Sequence, residues 1–197
     1  VRGDSSVLNK LIPYTEDSTV KNSRQELFLK NLAQLMDMPA VQGNDADLYL
    51  RIWFWDVDNK YVISLSKKGK HYSNHIVEFW SKRVDSSENI FIHREWKNMV
   101  PGSGWENLWR KVQELQQIDD GKKFEELKGQ LTQSSYVQFE IGDRGKYRYF
   151  EYLQPSFYRY VDSNSGKIYD FLKNLNEELN VTVYNPADKL YLEPAKK

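Results

Sequence analysis

Apolar and polar positions alternate with a strand period from about residue 48 into the nineties, and on either side of that stretch the apolar spacing becomes helical. In LYLRIWFW, residues 48–55, Leu48, Leu50, Ile52 and Phe54 fall on one side of a strand and Tyr49, Arg51, Trp53 and Trp55 on the other, because successive side chains of a strand point to opposite faces. The strand thus has an aliphatic face and an aromatic face. DVDNK after it is turn chemistry. YVISLS (61–66) reads as the return strand, KKGK as a second turn, HYSNHIVEFWSK (71–82) as a third strand and ENIFIHREW (88–96) as a fourth. Connections this short imply antiparallel pairing in a meander.

Before the meander, SRQELFLKNLAQLMDM predicts a helix, with Ser23 and Glu26 as a capping box. Leu27, Phe28, Leu32, Leu35 and Met36 form its apolar stripe, and Pro39 marks its exit. After the break at NMVPGSG, WENLWRKVQELQ sets Trp105, Leu108, Trp109, Val112 and Leu115 at helical spacing. IDDGKK interrupts, and FEELKGQL continues the helix or forms a short one. SYVQFEIGDRGKYRYFEYLQP reads as a hairpin turning at GDRG. FYRYV is expected to be extended, DSNSGK a loop, and KIYDFLKNLNEELN a last helix with Ile168, Phe171, Leu172, Leu175 and Leu179 inward. VTVYNPADKLYLEP suggests an edge strand limited by Pro186 and Pro194.

This order predicts an α+β fold: an antiparallel β-sheet, made of a meander plus a later hairpin, packed against about three α-helices. Residues 1–22 are expected to be a loose arm. Residues 23–197 are expected to be a single domain, since no polar linker separates meander from hairpin.

Composition narrows the function classes. Lys+Arg and Asp+Glu balance at 28 each, which argues against nucleic acid as a partner, because such surfaces carry excess positive charge. The chain has no cysteine, so disulfides, Cys-ligated zinc, iron–sulfur clusters and a Cys nucleophile are excluded. No apolar run reaches the roughly 18 residues of a membrane span. VRGDSSVLNK begins at Val1 and has no apolar signal core, so a processed chain is expected, with removal of an export signal one route to it. The Lys-, Asn- and Tyr-rich, Ala-poor composition points to an AT-rich bacterial genome. The expected location is extracytoplasmic, periplasmic or secreted, with the cytoplasm left open.

No motif carries a decisive chemistry, and no cofactor or metal is expected. His71 and His75 share a strand face but lie about 13 Å apart, too far for one metal. His93 on the next strand, with Glu78 or Glu95 as carboxylate, is the arrangement through which a hydrolase would act. Ser103 in PGSGW lacks the spacing of a nucleophile elbow and reads as part of the turn into the Trp105 helix. DVDNK and DSNSGK place lysine or glycine where calcium loops need ligands.

The remaining signal is aromatic. Aromatic residues make up 14% of the chain, with 6 Trp and 13 Tyr, above what a core of this size requires. RGKYRYFEY departs from the RNA-stacking pattern at Lys146, Tyr147 and Arg148. As a strand it sends Tyr147 and Tyr149 one way and Arg148, Phe150 and Tyr152 the other. A sheet covered by helices on one face would leave the other set half exposed. The reading is therefore a non-catalytic binding domain gripping a glycan or a protein partner through Trp53, Trp55, Arg148, Tyr149 and Tyr152. The alternatives are the hydrolase and an inhibitor or immunity-type protein that blocks an enzyme.

Overall fold

The computed structural model describes residues 21–41, 45–55, 60–83, 89–118, 136–153, 155–160 and 162–181. The expected arm through residue 20, the DVDNK turn through Asn59, the FEELKGQL helix and the C-terminal edge strand after Val181 lie outside them. In chain order the elements are α1 (Lys21–Leu35), β1 (Leu48–Trp55), β2 (Lys60–Lys68), β3 (His71–Arg83), β4 (Asn89–Lys97), α2 (Trp105–Leu115), β5 (Tyr136–Asp143), β6 (Lys146–Leu153), α3 (Pro155–Tyr158) and α4 (Ser163–Leu179).

The meander and the hairpin join in one antiparallel sheet of order β4-β3-β2-β1-β5-β6. β5 adds to the open edge of β1, with Leu50 opposite Ile141 and Ile52 opposite Phe139. The first strand of the meander is thereby central. Its aliphatic face, with Ile63, Leu65, Ile76 and Phe139, is buried in one core with Leu108 and Val112 of α2 and Ile168, Leu172 and Leu175 of α4.

The opposite face is covered as well, which corrects the expectation of helices on one side only. α1 packs Leu29, Leu32, Ala33 and Met36 against Trp53, Val62, Val77 and Phe79. The buried stripe of α1 therefore has the spacing i, i+3, i+4, i+7 starting from Leu29, while Leu27 is 52% exposed. The helix begins at Lys21, so Ser23 sits inside it and is not a cap. Asp37, at φ 54°, closes it, and Met38 N–H reaches back to the Ala33 carbonyl at 2.9 Å. The chain then runs across the sheet. A Cβ on Gly142 would stand 2.7 Å from the Val41 carbonyl oxygen, so only glycine permits this approach.

Two loop expectations are also corrected. FYRYV is not extended, because α3 occupies Pro155–Tyr158, and proline's fixed φ suits a first helical position. DSNSGK is the start of α4. The Asp162 side chain caps the helix, its Oδ2 accepting from Ser165 N–H at 2.7 Å. The β5–β6 hairpin turns on Arg144 and Gly145, at φ 44° and 84°, the two positive values of a type I′ turn.

Candidate functional site

The five aromatic and basic residues singled out by sequence do not form one surface. Trp53, Trp55 and Tyr149 face α1, and Arg148 and Tyr152 face α2 and α4. Trp53 has no exposed surface. Trp55 is half-buried among Phe28, Trp53, Phe79 and Tyr136, with centroids 5.7 to 6.2 Å away. Arg148 lies with its guanidinium 4.7 Å from the Phe150 ring centre. It donates to the Gln116 carbonyl at 2.9 Å and to the Ile118 carbonyl, tying the end of α2 to β6. Tyr152 is buried edge-on to Phe150.

Between the rings of the α1 face lies a polar network that the alternation pattern did not announce. Arg51, 1% exposed, stands 3.6 Å from Glu140 Oε2. It also donates to Ser64 Oγ at 3.3 Å, to the Tyr49 hydroxyl at 3.2 Å and to the Pro39 carbonyl. Glu140 accepts from Trp53 Nε1 at 2.7 Å and from the Tyr147 hydroxyl at 3.1 Å. Two residues along β5 from Glu140, Gln138 takes the Trp55 indole N–H at 2.6 Å and donates to the Tyr149 hydroxyl at 2.6 Å. Tyr149 in turn donates to Glu151 at 3.0 Å. Burial, then the neighbouring Glu151 carboxylate, push the Tyr149 phenol far up, so it stays a neutral donor. Each of these groups is held by another. The network is the hydrogen-bond satisfaction that buried polar groups require.

His93, Glu78 and Glu95 are not brought together. Register places Glu78 opposite Arg94 and Tyr61, and His93 opposite Phe79, so Glu78 points to one face of the sheet and His93 and Glu95 to the other. Glu95 takes His75 instead, with Nε2 at 2.8 Å, and Lys97 Nζ at 3.2 Å. Burial lowers the His75 pKa despite that carboxylate, so the ring is neutral near pH 7 and its Nε2–H donates. The His75 hydrogen bond and Lys97 hold Glu95 below its ordinary range. Among the described residues no group of three or more His, Asp or Glu side chains gathers around a metal-sized site. Ser103 belongs to the turn before α2, its N–H and Oγ held by Glu178 of α4 at 2.7 and 2.6 Å.

Aromatic side chains are only partly buried elsewhere, on the α2/α4 face at its β3–β4 end, where Tyr61 and Trp96 pack against the rim of the core. There burial falls off: Ile76 is fully buried, Glu78 and Trp80 two and four residues on are partly buried, Trp96 of β4 is partly buried, and Arg94 keeps 65% of its side chain in solvent. Across this strip Tyr61, Glu78 and Arg94 form a cross-strand row. The Tyr61 hydroxyl donates to Glu78 Oε1 at 3.0 Å, and Arg94 Nη1 lies 3.7 Å from Oε2. Burial and the Glu78 carboxylate raise the Tyr61 pKa to about 12. The row is flanked along the strands by Trp80 on one side and Trp96 on the other. VEFW and REW carry the signal for it, since Glu78 alternates with Trp80 and Arg94 with Trp96. What the alternation could not show was which strands the helices leave less covered.

No family model matches the chain, and comparison with curated proteins and with solved structures finds no match.

Proposed function

We propose that this chain is a non-catalytic binding domain that holds an extended glycan on the strip formed by Tyr61, Glu78, Trp80, Arg94 and Trp96. The observation that carries the reading is the pairing of partly exposed indoles with a charged, hydrogen-bonding row between them. Indole faces pack against the apolar faces of a ring, and Arg94 and Glu78 supply a donor and an acceptor for hydroxyls.

Size favours a glycan over a protein. Trp96 and Trp80 stand four residues and one strand apart, about 14 Å by strand geometry, so a ligand touching both must be extended. The strip is about 10 Å wide across three strands, giving on the order of 140 Å², far below the roughly 800 Å² per partner of a standard protein interface. Among the described residues no exposed nucleophile–base pair accompanies it, which favours holding over cutting. An extracytoplasmic setting in a bacterium goes with this reading, and a cysteine-free chain suits that compartment or the cytoplasm.

Affinity electrophoresis against soluble β-glucan, xylan, mannan and α-glucan tests the proposal. At least one polysaccharide should retard the protein. Trp80→Ala and Trp96→Ala should each weaken that binding several-fold to tenfold, the loss of about 1 kcal/mol or more per ring. Thermal unfolding should be essentially unchanged in Trp80→Ala and lowered in Trp96→Ala, because Trp96 also packs against the core. Wild-type protein that no polysaccharide retards, or a retardation untouched by either substitution, would refute it.

A further inference from the structure

At the opposite end of the same face, a cleft opens between α2 and one row of the sheet. In register, Lys67 of β2, Leu48 of β1, Asp143 of β5 and Lys146 of β6 stand side by side, all on the α2 side. The buried residues of this helix are Leu108, Trp109, Val112 and Leu115, and Trp109 with the more exposed Gln113 and Gln116 lines a cleft of about 440 Å³ whose lip carries Asp47 and Arg144. That volume lies within the roughly 300–1,000 Å³ typical of small-molecule sites.

The charges in the cleft are unevenly committed. Asp47 is occupied by the loop, its Oδ2 accepting from Gly69 N–H at 2.6 Å. Lys67 lies 5.2 Å from the centre of the Tyr72 ring. Among the described residues the Asp143 side chain has only a long contact, Gln116 Nε2 at 3.5 Å. Arg144 and Lys146 are exposed, and among the described residues neither forms an ion pair. Arg144 also holds a left-handed backbone at φ 44°, in a type I′ turn where Asn, Asp or Gly is favoured. A long cation kept in that conformation, beside a second cation and above a loosely held carboxylate, needs a reason beyond turn formation.

We infer that this cleft binds a small organic acid that also carries a hydrogen-bond donor, the class of amino acids and hydroxy acids. Arg144 and Lys146 take the acid group: the guanidinium fork accommodates two carboxylate oxygens and the ammonium adds a point charge. Asp143 accepts from the ammonium or hydroxyl of the same molecule, and the Gln113 amide lies along the wall. A simple anion would gain only from the cations and would be repelled by Asp143.

Calorimetric titration with L-glutamate, L-malate, succinate and inorganic phosphate tests this. Glutamate or malate is expected to bind, with succinate and phosphate at least several-fold weaker. Lys146→Ala and Arg144→Ala should each weaken the binding about tenfold, and Asp143→Asn should erase the preference over succinate. Trp80→Ala should leave it intact, which separates this site from the glycan strip. Absence of heat from all four at about 10 mM, the weak limit of a specific site, would overturn the inference. So would equal binding of phosphate and malate, or affinity unaltered in Lys146→Ala, provided each variant unfolds at the wild-type temperature.

Discussion

Arg51 and Glu140 decide the character of the α1 face. Both are buried, and each serves several partners: Pro39 and Ser64 for Arg51, Trp53 and Tyr147 for Glu140. Removing one member leaves the other as a buried charge without its counter-ion. Arg51→Ala or Glu140→Ala is therefore expected to lower the unfolding free energy by about 3–5 kcal/mol, whereas Arg51→Met with Glu140→Leu recovers only the part due to an unpaired charge, since the Trp53 indole and the Pro39 carbonyl stay without these partners. Urea denaturation measures both. A cost below about 1 kcal/mol for either single change would show that the pair is not a determinant of stability. In LYLRIWFW nothing distinguishes Arg51 from a solvent-facing residue. Its burial depends on Glu140, Pro39 and α1, which local periodicity cannot see.

At the scale of elements, the β5–β6 hairpin carries a conflict between turn and side chain. Arg144 occupies a left-handed position where an L-residue other than Asn, Asp or Gly is costly. Arg144→Asn should raise stability by up to about 1 kcal/mol, seen as a higher urea midpoint at unchanged slope, while malate binding falls. A lowered midpoint would mean that the Arg144 side chain holds the fold. α1 shows why an element can be read correctly and its face misread. In LFLKNLAQLM, leucines at 27, 29, 32 and 35 mark two adjacent stripes, and both look apolar. The stripe through Leu29 is inward because Trp53 and Val62 lie beneath it.

For the whole molecule, pH sums contributions of the same sign from the His75–Glu95 pair on β3 and β4 and from Glu178 on α4. His75 on β3 has a lowered folded pKa, so as pH falls below about 6.5 the unfolded chain takes up a proton that the folded chain does not, and stability drops. Glu95 on β4 and Glu178 on α4 are also lowered. For Glu95 the His75 hydrogen bond leads; for Glu178 burial opposes, and the Ser103 hydrogen bonds with Lys111 outweigh it. The stability these carboxylates give is present above about pH 4.5 and is lost as pH falls through their folded values. The urea midpoint should fall from about pH 7.5 to 5.5 and again toward pH 4, with His75→Asn flattening the first stage. A midpoint constant over that range would contradict the assignment. Toward alkali the sign reverses. Tyr61, raised to about 12, favours the folded state only while the phenol is neutral, so stability should decline above about pH 10 as the unfolded chain ionises.

The sequence by itself determined the strands, the antiparallel meander, the later hairpin and the inward faces of α2 and α4, because these follow from residue spacing and turn chemistry within a few residues. It also carried the aromatic excess. Only the tertiary structure decided where that excess is used. Insertion of β5 beside β1 and placement of α1 on the opposite side of the sheet buried Trp53 and Tyr152 and part of Trp55 and Tyr149. The same packing left Trp80 and Trp96 partly exposed at the β3–β4 end. It put Lys67, Asp143 and Lys146, from three strands, in one row. A side chain's period sets which way it points along its own strand. Whether that direction leads into a core, a cleft or water depends on non-local partners, and those are chosen by the packing of the whole chain.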